Sequence, residues 1–122
     1  MRNQEPTEHQ EQVALIEWAR LRRATIPELG MLFSIANGSD RHPAVGAKLK
    51  KEGVAKGVPD LCLPVPRGGY HGLYVELKRQ RGGRVSPEQK AWIESLNSQG
   101  YRATVCYGAT DAIKVIESYM GG

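Results

Sequence analysis

Apolar residues recur at helical spacing near the start of the chain and predict an amphipathic helix over about residues 8–23. Thr7 and Gln10 stand three apart, which is the spacing of a capping box, so the helix is expected to begin just after Thr7. Its predicted inner face consists of Val13, Leu15, Ile16, Trp18, Ala19 and Leu21.

Two more helices are predicted in the second half of the chain. Ser86 fits an N-cap, Pro87 fits the first helical position and Gln89 fits the reciprocal place of a capping box. This helix is predicted to run to about Ser98, with Gly100 ending it. Its predicted inner face is Ala91, Trp92, Ile93 and Leu96. Periodic apolar residues predict a last helix over about residues 110–120.

Four short apolar runs predict strands, at about residues 31–36, 60–65, 73–78 and 102–107. A proline- and glycine-containing connection, 66–69, suits a hairpin between the second and third runs. The segment between the first two runs is irregular and basic, with a short helix near 44–52. The expected fold class is therefore α/β, in the order α-β-β-β-α-β-α, with a mixed central sheet flanked by helices.

The length and composition fit one globular domain spanning 1–122. The 122 residues are 40% hydrophobic and 25% charged. We expect no membrane association, because no apolar run approaches the roughly 20 residues that cross a bilayer. The polar N-terminus does not resemble a secretory signal. Cys62 and Cys106 lie in apolar runs and are expected to be buried, reduced thiols of a cytoplasmic protein.

Positive charge brackets two acidic positions in a chain whose net charge is +4. Solvated surface charge is the common explanation for a single basic run. Two runs beside two acids favour a partner with a phosphate backbone. The cations are Lys48, Lys50, Lys51 and Lys56 before Asp60, and Lys78, Arg79, Arg81 and Arg84 after Glu76.

The acids themselves indicate a metal site. Glu76 and Lys78 share one face of a strand, which alone indicates only a surface ion pair. Asp60 opens the preceding strand, so a hairpin would bring it beside Glu76 or Lys78. Two adjacent carboxylates repel each other, and a hard divalent cation such as Mg²⁺ relieves that repulsion. A cation beside an ammonium group suits phosphodiester cleavage.

Pro59-Asp60 followed by Glu76-Leu77-Lys78 matches the signature of the PD-(D/E)xK nuclease superfamily. With residues 53–61, 72–78, 86–89 and 100–101, the chain resembles the virus-type replication-repair nuclease (VRR-NUC) domain over about residues 8–119. Stand-alone members encoded by phages or prophages are similar in size to this chain. The resemblance implies a restriction-endonuclease-like core.

The resemblance also implies an active site. Asp60 and Glu76 would bind Mg²⁺, or Mn²⁺ in its place, with the backbone carbonyl of Leu77. Lys78 would orient or activate the attacking water. Glu8, on the first helix, is the expected third acid, with Glu11 as a substitute; a first-turn acid favoured by the helix dipole is the alternative explanation for Glu8. Gln89 would face the site from the next helix, although the capping box alone also explains it.

These expectations predict a Mg²⁺-dependent DNA endonuclease. The implied substrate is branched DNA such as a Holliday junction, whose two symmetric cuts require a two-fold homodimer. Flap or restriction-type cleavage on the same core is the second possibility. A non-catalytic nucleic-acid-binding module is a third, disfavoured by the intact set of Asp60, Glu76 and Lys78. The basic residues Lys48, Lys50, Lys51, Lys56, Arg79, Arg81 and Arg84 would contact DNA phosphates without reading sequence.

Overall fold

The predicted order of elements is confirmed. A computed structural model describes residues 4–36 and 43–121, and within them it contains four α-helices and four strands. The elements are α1 (Glu8–Arg22), a short 3-10 helix (Pro27–Met31), β1 (Phe33–Ser34), α2 (Pro43–Lys51), β2 (Leu61–Leu63), β3 (Leu73–Lys78), α3 (Pro87–Ser98), β4 (Arg102–Tyr107) and α4 (Ala109–Tyr119). The α/β fold class holds, and α2 is the short helix expected within the basic segment.

The first helix begins as its capping box predicts. Thr7 Oγ1 accepts a hydrogen bond from the Gln10 N–H, and the Thr7 N–H donates to Gln10 Oε1. The predicted inner face is too wide, however. Leu15 and Ala19 are buried, whereas Val13 and Leu21 are 42% and 80% exposed. The helix therefore packs along a narrow stripe of residues four apart, and part of its apolar surface faces outward.

One mixed sheet has the strand order β1-β2-β3-β4. The pairs β1–β2 and β2–β3 are antiparallel, whereas β3–β4 is parallel. The strand predicted at 31–36 is reduced to Phe33–Ser34, because Pro27–Met31 forms the 3-10 helix. The pairing of Leu61 with Val75 sets the hairpin register and brings residue 60, the next position, opposite residue 76.

The two faces of β3 have different chemistry. Leu73, Val75 and Leu77 are buried in the core cluster with Leu15 of α1 and Ile116 of α4. Each such apolar side chain contributes about 1.5–3 kcal/mol when it is fully buried. Because side chains alternate across a strand, Tyr74, Glu76 and Lys78 face the other way. The core thus holds rigidly the strand that carries two of the predicted site residues.

Of the apolar inner face predicted for α3, Ile93 and Leu96 are half-buried, whereas Ala91 and Trp92 are exposed. Residues 87–98 are all exposed or half-buried, and Trp92 is 36% exposed. A polar contact also joins this helix to the edge of the sheet. The Asn97 side chain donates a hydrogen bond to the Ala103 carbonyl and accepts one from the Ala103 N–H, and each is 3.0 Å long. The helix therefore satisfies both backbone groups of Ala103 and buries its apolar residues only in part.

Both cysteines, Cys62 and Cys106, are free and buried. Burial raises the pKa of the Cys106 thiol to about 12, so this side chain stays protonated at neutral pH. Among the described residues, the helices are all too short or too polar to cross a bilayer.

Candidate active site

Asp60 lies beside the strand that carries Glu76. Asp60 Oδ2 accepts a hydrogen bond of 2.8 Å from the Leu77 N–H. The approach to Asp60 requires a glycine: Gly57 has φ +93°, and a Cβ there would lie 2.7 Å from the backbone carbon of Glu88 in α3. This close approach brings the segment before β2 against the first turn of α3 and fixes the start of the strand.

Lys78 is a buried partner of Glu76. Its Nζ lies 3.3 Å from Glu76 Oε2, and both side chains are less than a tenth exposed. The loop after β3 packs closely against the aliphatic part of Lys78: a Cβ at Gly83 would lie only 2.9 Å from Lys78 Cβ. The strand period therefore brings the acid and the ammonium together as the sequence predicts, but in a buried environment where their interaction is strong.

Gln89 serves the helix cap and the site at once. Its Oε1 accepts from the Ser86 N–H over 2.9 Å, which closes the capping box. Its Nε2 donates to Glu76 Oε2 over 3.1 Å. Because the cap holds the oxygen, the amide NH₂ is directed at Glu76. The two explanations offered for Gln89 are therefore both realised by a single side chain.

Glu8 joins the acidic pair. One carboxylate oxygen each from Glu8, Asp60 and Glu76 lie within 4.8 Å of one another. Glu8 is exposed, Asp60 is half-buried and Glu76 is buried, so the cluster is open on the side of α1. Glu11, the substitute for Glu8, lies elsewhere: its oxygens accept from the Ala109 N–H and from Gln80 Nε2. Glu11 is therefore not among the clustered acids, since the rotation of α1 buries it against α4.

Burial changes the protonation of the pair. The pKa of Glu76 is raised to about 8, first by burial and then by the negative charge of Asp60, with Lys78 acting in the opposite direction. Burial also raises the pKa of Asp60, although the hydrogen bond from the Leu77 N–H opposes this. Without a further positive charge, Glu76 therefore holds a proton at neutral pH.

The cluster fits a divalent cation. Glu76 Oε1 is buried, and within residues 4–36 and 43–121 it has no hydrogen-bond partner. An unsatisfied buried acceptor is costly, and a cation is one way to satisfy it. The three side chains offer hard oxygen ligands, which suit Mg²⁺ or Mn²⁺. A bound cation would also offset the burial and the repulsion that raise the pKa of Glu76, because it stabilises the ionised carboxylates.

The predicted DNA-contacting cations are all exposed but differ in their surroundings. Lys48, Lys50 and Lys51 lie in the last turn of α2. Lys56 pairs with Glu88 over 3.9 Å, and Arg81 pairs with Glu5 over 3.7 Å. A cavity of about 370 Å³ beside Glu8 is lined by Arg79 and Arg84, together with Glu5, Pro6, Thr7, Gly82 and Gly83. Arg79 and Arg84 thus share this cavity with Glu8, one member of the acidic cluster.

Two contacts near the site were not predicted from the sequence. Glu5 holds the loop after β3 by accepting from the Arg81 N–H over 3.0 Å. Glu11 and Gln80 meet although they are 69 positions apart. The local pattern gives no signal for either contact, since each depends on where α1 lies against the end of β3.

Comparison with known proteins gives a family. A model of the VRR-NUC domain matches residues 6–110. A solved structure described as a "VRR_NUC domain protein" superposes with a TM-score of 0.84 at 31% identity, covering 97% of this chain and 91% of that chain. No curated protein gives a significant match. The chain belongs to the VRR-NUC domain family, whose members are nucleases of the PD-(D/E)xK type.

Proposed function

We propose that this nuclease is a Mg²⁺-dependent DNA endonuclease that cuts branched DNA such as four-way junctions. The observation that carries the metal dependence is the cluster of Glu8, Asp60 and Glu76, with the unsatisfied buried oxygen of Glu76 among its ligand atoms. Asp60 and Glu76 would hold the ion, with Glu8 and the backbone carbonyl of Leu77 completing its ligands. Mn²⁺ would replace Mg²⁺. When bound, the ion supplies Lewis-acid stabilisation of the phosphodiester.

Lys78 supports hydrolysis from inside the site. Its buried ammonium lies beside Glu76 and is a fixed positive charge in a region that excludes much of the water. Such a group stabilises negative charge that develops on the phosphate, and it can orient the attacking water by hydrogen bonding. Gln89 keeps the shared carboxylate of Glu76 in place, so that one oxygen remains available to the cation.

The basic residues form two groups, one close to the acidic cluster and one further from it, and each would contact different DNA phosphates. Arg79 and Arg84 share a cavity with Glu8 and are therefore suited to the phosphates next to the cleaved bond. Lys48, Lys50 and Lys51 on α2, with Lys56 and Arg81, would contact the phosphate backbone further away. Phosphate contacts carry no sequence information, which favours recognition of DNA shape over sequence.

A two-fold homodimer follows from the proposed substrate. A junction is resolved by two symmetric cuts, and one chain has one acidic cluster of this kind among its described residues. Exposed apolar side chains support an interface: Val13 and Leu21 on α1, Met31 at the end of the 3-10 helix and Phe33 on the edge strand β1. A second copy of the chain would cover them.

A panel of DNA substrates tests this proposal. Duplex, flap, splayed-arm and four-way DNA would be incubated with Mg²⁺, with Mn²⁺ and with a chelator. We expect symmetric cuts in the four-way substrate with either ion and none with the chelator. Preferential cutting of flaps, or sequence-specific cutting of duplex, would contradict the junction substrate and favour the flap or restriction-type activity. Binding without any cutting would contradict the enzyme assignment.

A matched pair of variants tests the site. Asp60 and Asp111 are half-buried and each accepts one backbone N–H, over 2.8 and 2.9 Å. Asp60→Asn should lower the cleavage rate by roughly 100-fold or more, because it removes a charged ligand. Asp111→Asn, at the start of α4, should retain the wild-type rate. Equal rates for wild type and Asp60→Asn would contradict the assignment of the site.

A further inference from the structure

Glu11 is a buried carboxylate whose two oxygens are both engaged. It is 5% exposed. Oε1 accepts from the Ala109 N–H and Oε2 accepts from Gln80 Nε2, each over 2.9 Å. Buried carboxylates with such partners are expensive to leave unpaired, so these contacts hold the first turn of α1 in a defined orientation.

The start of α4 depends on this contact. Its N-cap is Gly108, with φ +91°, and glycine has no side chain to cap the helix. A Cβ at this position would lie 2.9 Å from Gln80 Cγ and 3.6 Å from the Glu11 oxygens. Glu11 therefore supplies from α1 the acceptor and the negative charge that a helix N-terminus favours. The two helices are joined at this point.

The same junction includes the end of β3. The Gly108 N–H donates to the Lys78 carbonyl over 2.8 Å, and Gln80 lies two residues beyond Lys78. Through Ala109 and Gln80, Glu11 thus ties α1 to the strand that carries Glu76 and Lys78. The hydrogen bond between Glu11 and Ala109 of α4 joins residues that are 98 positions apart in the sequence.

Glu8 precedes Glu11 by three residues, so the two lie on neighbouring positions of one helical face. Glu8 itself is exposed, yet its carboxylate lies within 4.8 Å of the oxygens of Asp60 and Glu76. A small rotation or shift of the first turn would move it out of the cluster. The position of Glu8 therefore depends on what holds that turn.

We infer that Glu11, held by Ala109 and Gln80, is a positioning residue that places Glu8 in the acidic cluster and so sets the affinity of the cluster for a divalent cation. This inference rests on the proposed metal site. Glu11 acts through the orientation of α1 and does not touch the ion or the DNA.

Titration of the full-length protein with Mn²⁺, followed by calorimetry, tests the inference without relying on cleavage. Glu11→Ala should weaken the affinity roughly tenfold, as removal of a residue that supports a metal ligand does. Glu11→Gln should largely restore it, because its oxygen can accept from Ala109 while Gln80 turns its amide to accept from the new NH₂. Gln80→Ala, which keeps the contact with Ala109, should give a smaller loss in the same direction. Excess Mn²⁺ should return the cleavage rate of Glu11→Ala toward that of wild type.

Asp111→Asn is the matched control for lost stability. Asp111 also bonds near the start of α4, through the Tyr107 N–H, but has no such contact with α1 among its described hydrogen bonds. Its Mn²⁺ affinity should equal that of wild type even where its melting temperature falls. If Glu11→Ala and Gln80→Ala both bind Mn²⁺ as tightly as wild type does, the inference about Glu11 is overturned but the proposed metal site is not. The inference would also be overturned if Asp111→Asn lost as much Mn²⁺ affinity as Glu11→Ala for the same fall in melting temperature. If wild type binds no Mn²⁺, the proposed metal site fails and the inference fails with it.

Discussion

Gln89 Nε2 donates a hydrogen bond of 3.1 Å to Glu76 Oε2 while Gln89 Oε1 caps its own helix. A single side chain thereby couples the start of α3 to the buried carboxylate of β3. A glutamate at position 89 separates these two contacts: it can cap the helix as well as glutamine does, but when ionised it cannot donate a hydrogen bond to Glu76.

Gln89→Glu should keep the protein folded and lower its activity. A glutamate at this position completes a capping box as glutamine does, so the melting temperature should change little. It cannot donate to Glu76 when ionised and adds a negative charge beside it. Cleavage should fall about 10- to 100-fold, as for the loss of a residue that supports a metal ligand. Gln89→Ala is the comparison: it should also lose about 1 kcal/mol of stability, because the hydrogen bond from the Ser86 N–H to Gln89 is removed. Wild-type cleavage by Gln89→Glu would contradict a role at the site.

Lys78→Met should abolish most cleavage but leave the fold intact. The methionine occupies a similar volume, and Glu76 can remain protonated, since its pKa is already raised to about 8. We expect a rate loss of about 100- to 1,000-fold from the missing positive charge, with Mn²⁺ binding retained because the carboxylates remain. Calorimetry and a nicking assay measure the two effects. Lys90→Met, at an exposed lysine of α3, should behave as wild type. A Lys78→Met protein that cuts at the wild-type rate would remove the lysine from the mechanism.

The metal-free protein should lose stability as the pH rises. The pKa of Glu76 is about 8 in the folded protein and 4.5 as a free side chain, so the folded state binds the proton more tightly. This contribution is fully present below about pH 4.5 and is lost as the pH rises through 8. The melting temperature in a chelator should therefore fall across this window, and Glu76→Gln should flatten the fall. Saturating Mg²⁺ should stabilise the protein most at the alkaline end. A melting temperature that rises with pH from 5 to 8 in both proteins would contradict the raised pKa.

Gly57→Ala should disrupt the approach to Asp60. Both Gly57 and Gly53 have positive φ, at +93° and +98°, so alanine is strained at either position. Strain of this kind costs about 1–3 kcal/mol. Only at Gly57 would the new Cβ also meet α3, at 2.7 Å from the Glu88 backbone, whereas the space around Gly53 is open. Gly57→Ala should lose clearly more stability than Gly53→Ala, and cleavage with it. Equal losses of melting temperature would show that the contact with α3 is unimportant.

Much of the site follows from local rules of the sequence. The sequence alone predicts that Asp60, Glu76 and Lys78 are neighbours, because the period of a strand and a short hairpin connection fix which side chains lie side by side. Gln89 followed from the capping pattern, although its bond to Glu76 did not. The resemblance to a nuclease family proposed Glu8 but left Glu11 as a substitute.

The remaining features depend on contacts between distant segments. The rotation of α1 brings Glu8 and not Glu11 into the acidic cluster, and the hydrogen bond from the Ala109 N–H to Glu11, 98 positions away in the sequence, holds this rotation. The exposure of Trp92 depends on how α3 lies against β4, where no residue of the helix is fully buried. Helical periodicity identifies an apolar face, but it does not show how much of that face the tertiary packing covers.

The most direct test of the shared-cation site is a crystal grown with Mn²⁺, measured at a wavelength where manganese scatters anomalously. We expect an anomalous peak among the carboxylates of Glu8, Asp60 and Glu76, and its loss in Glu76→Gln. Crystals with no peak between these three side chains, or with the peak bound only elsewhere on the chain, would contradict the claim that they hold a common ion.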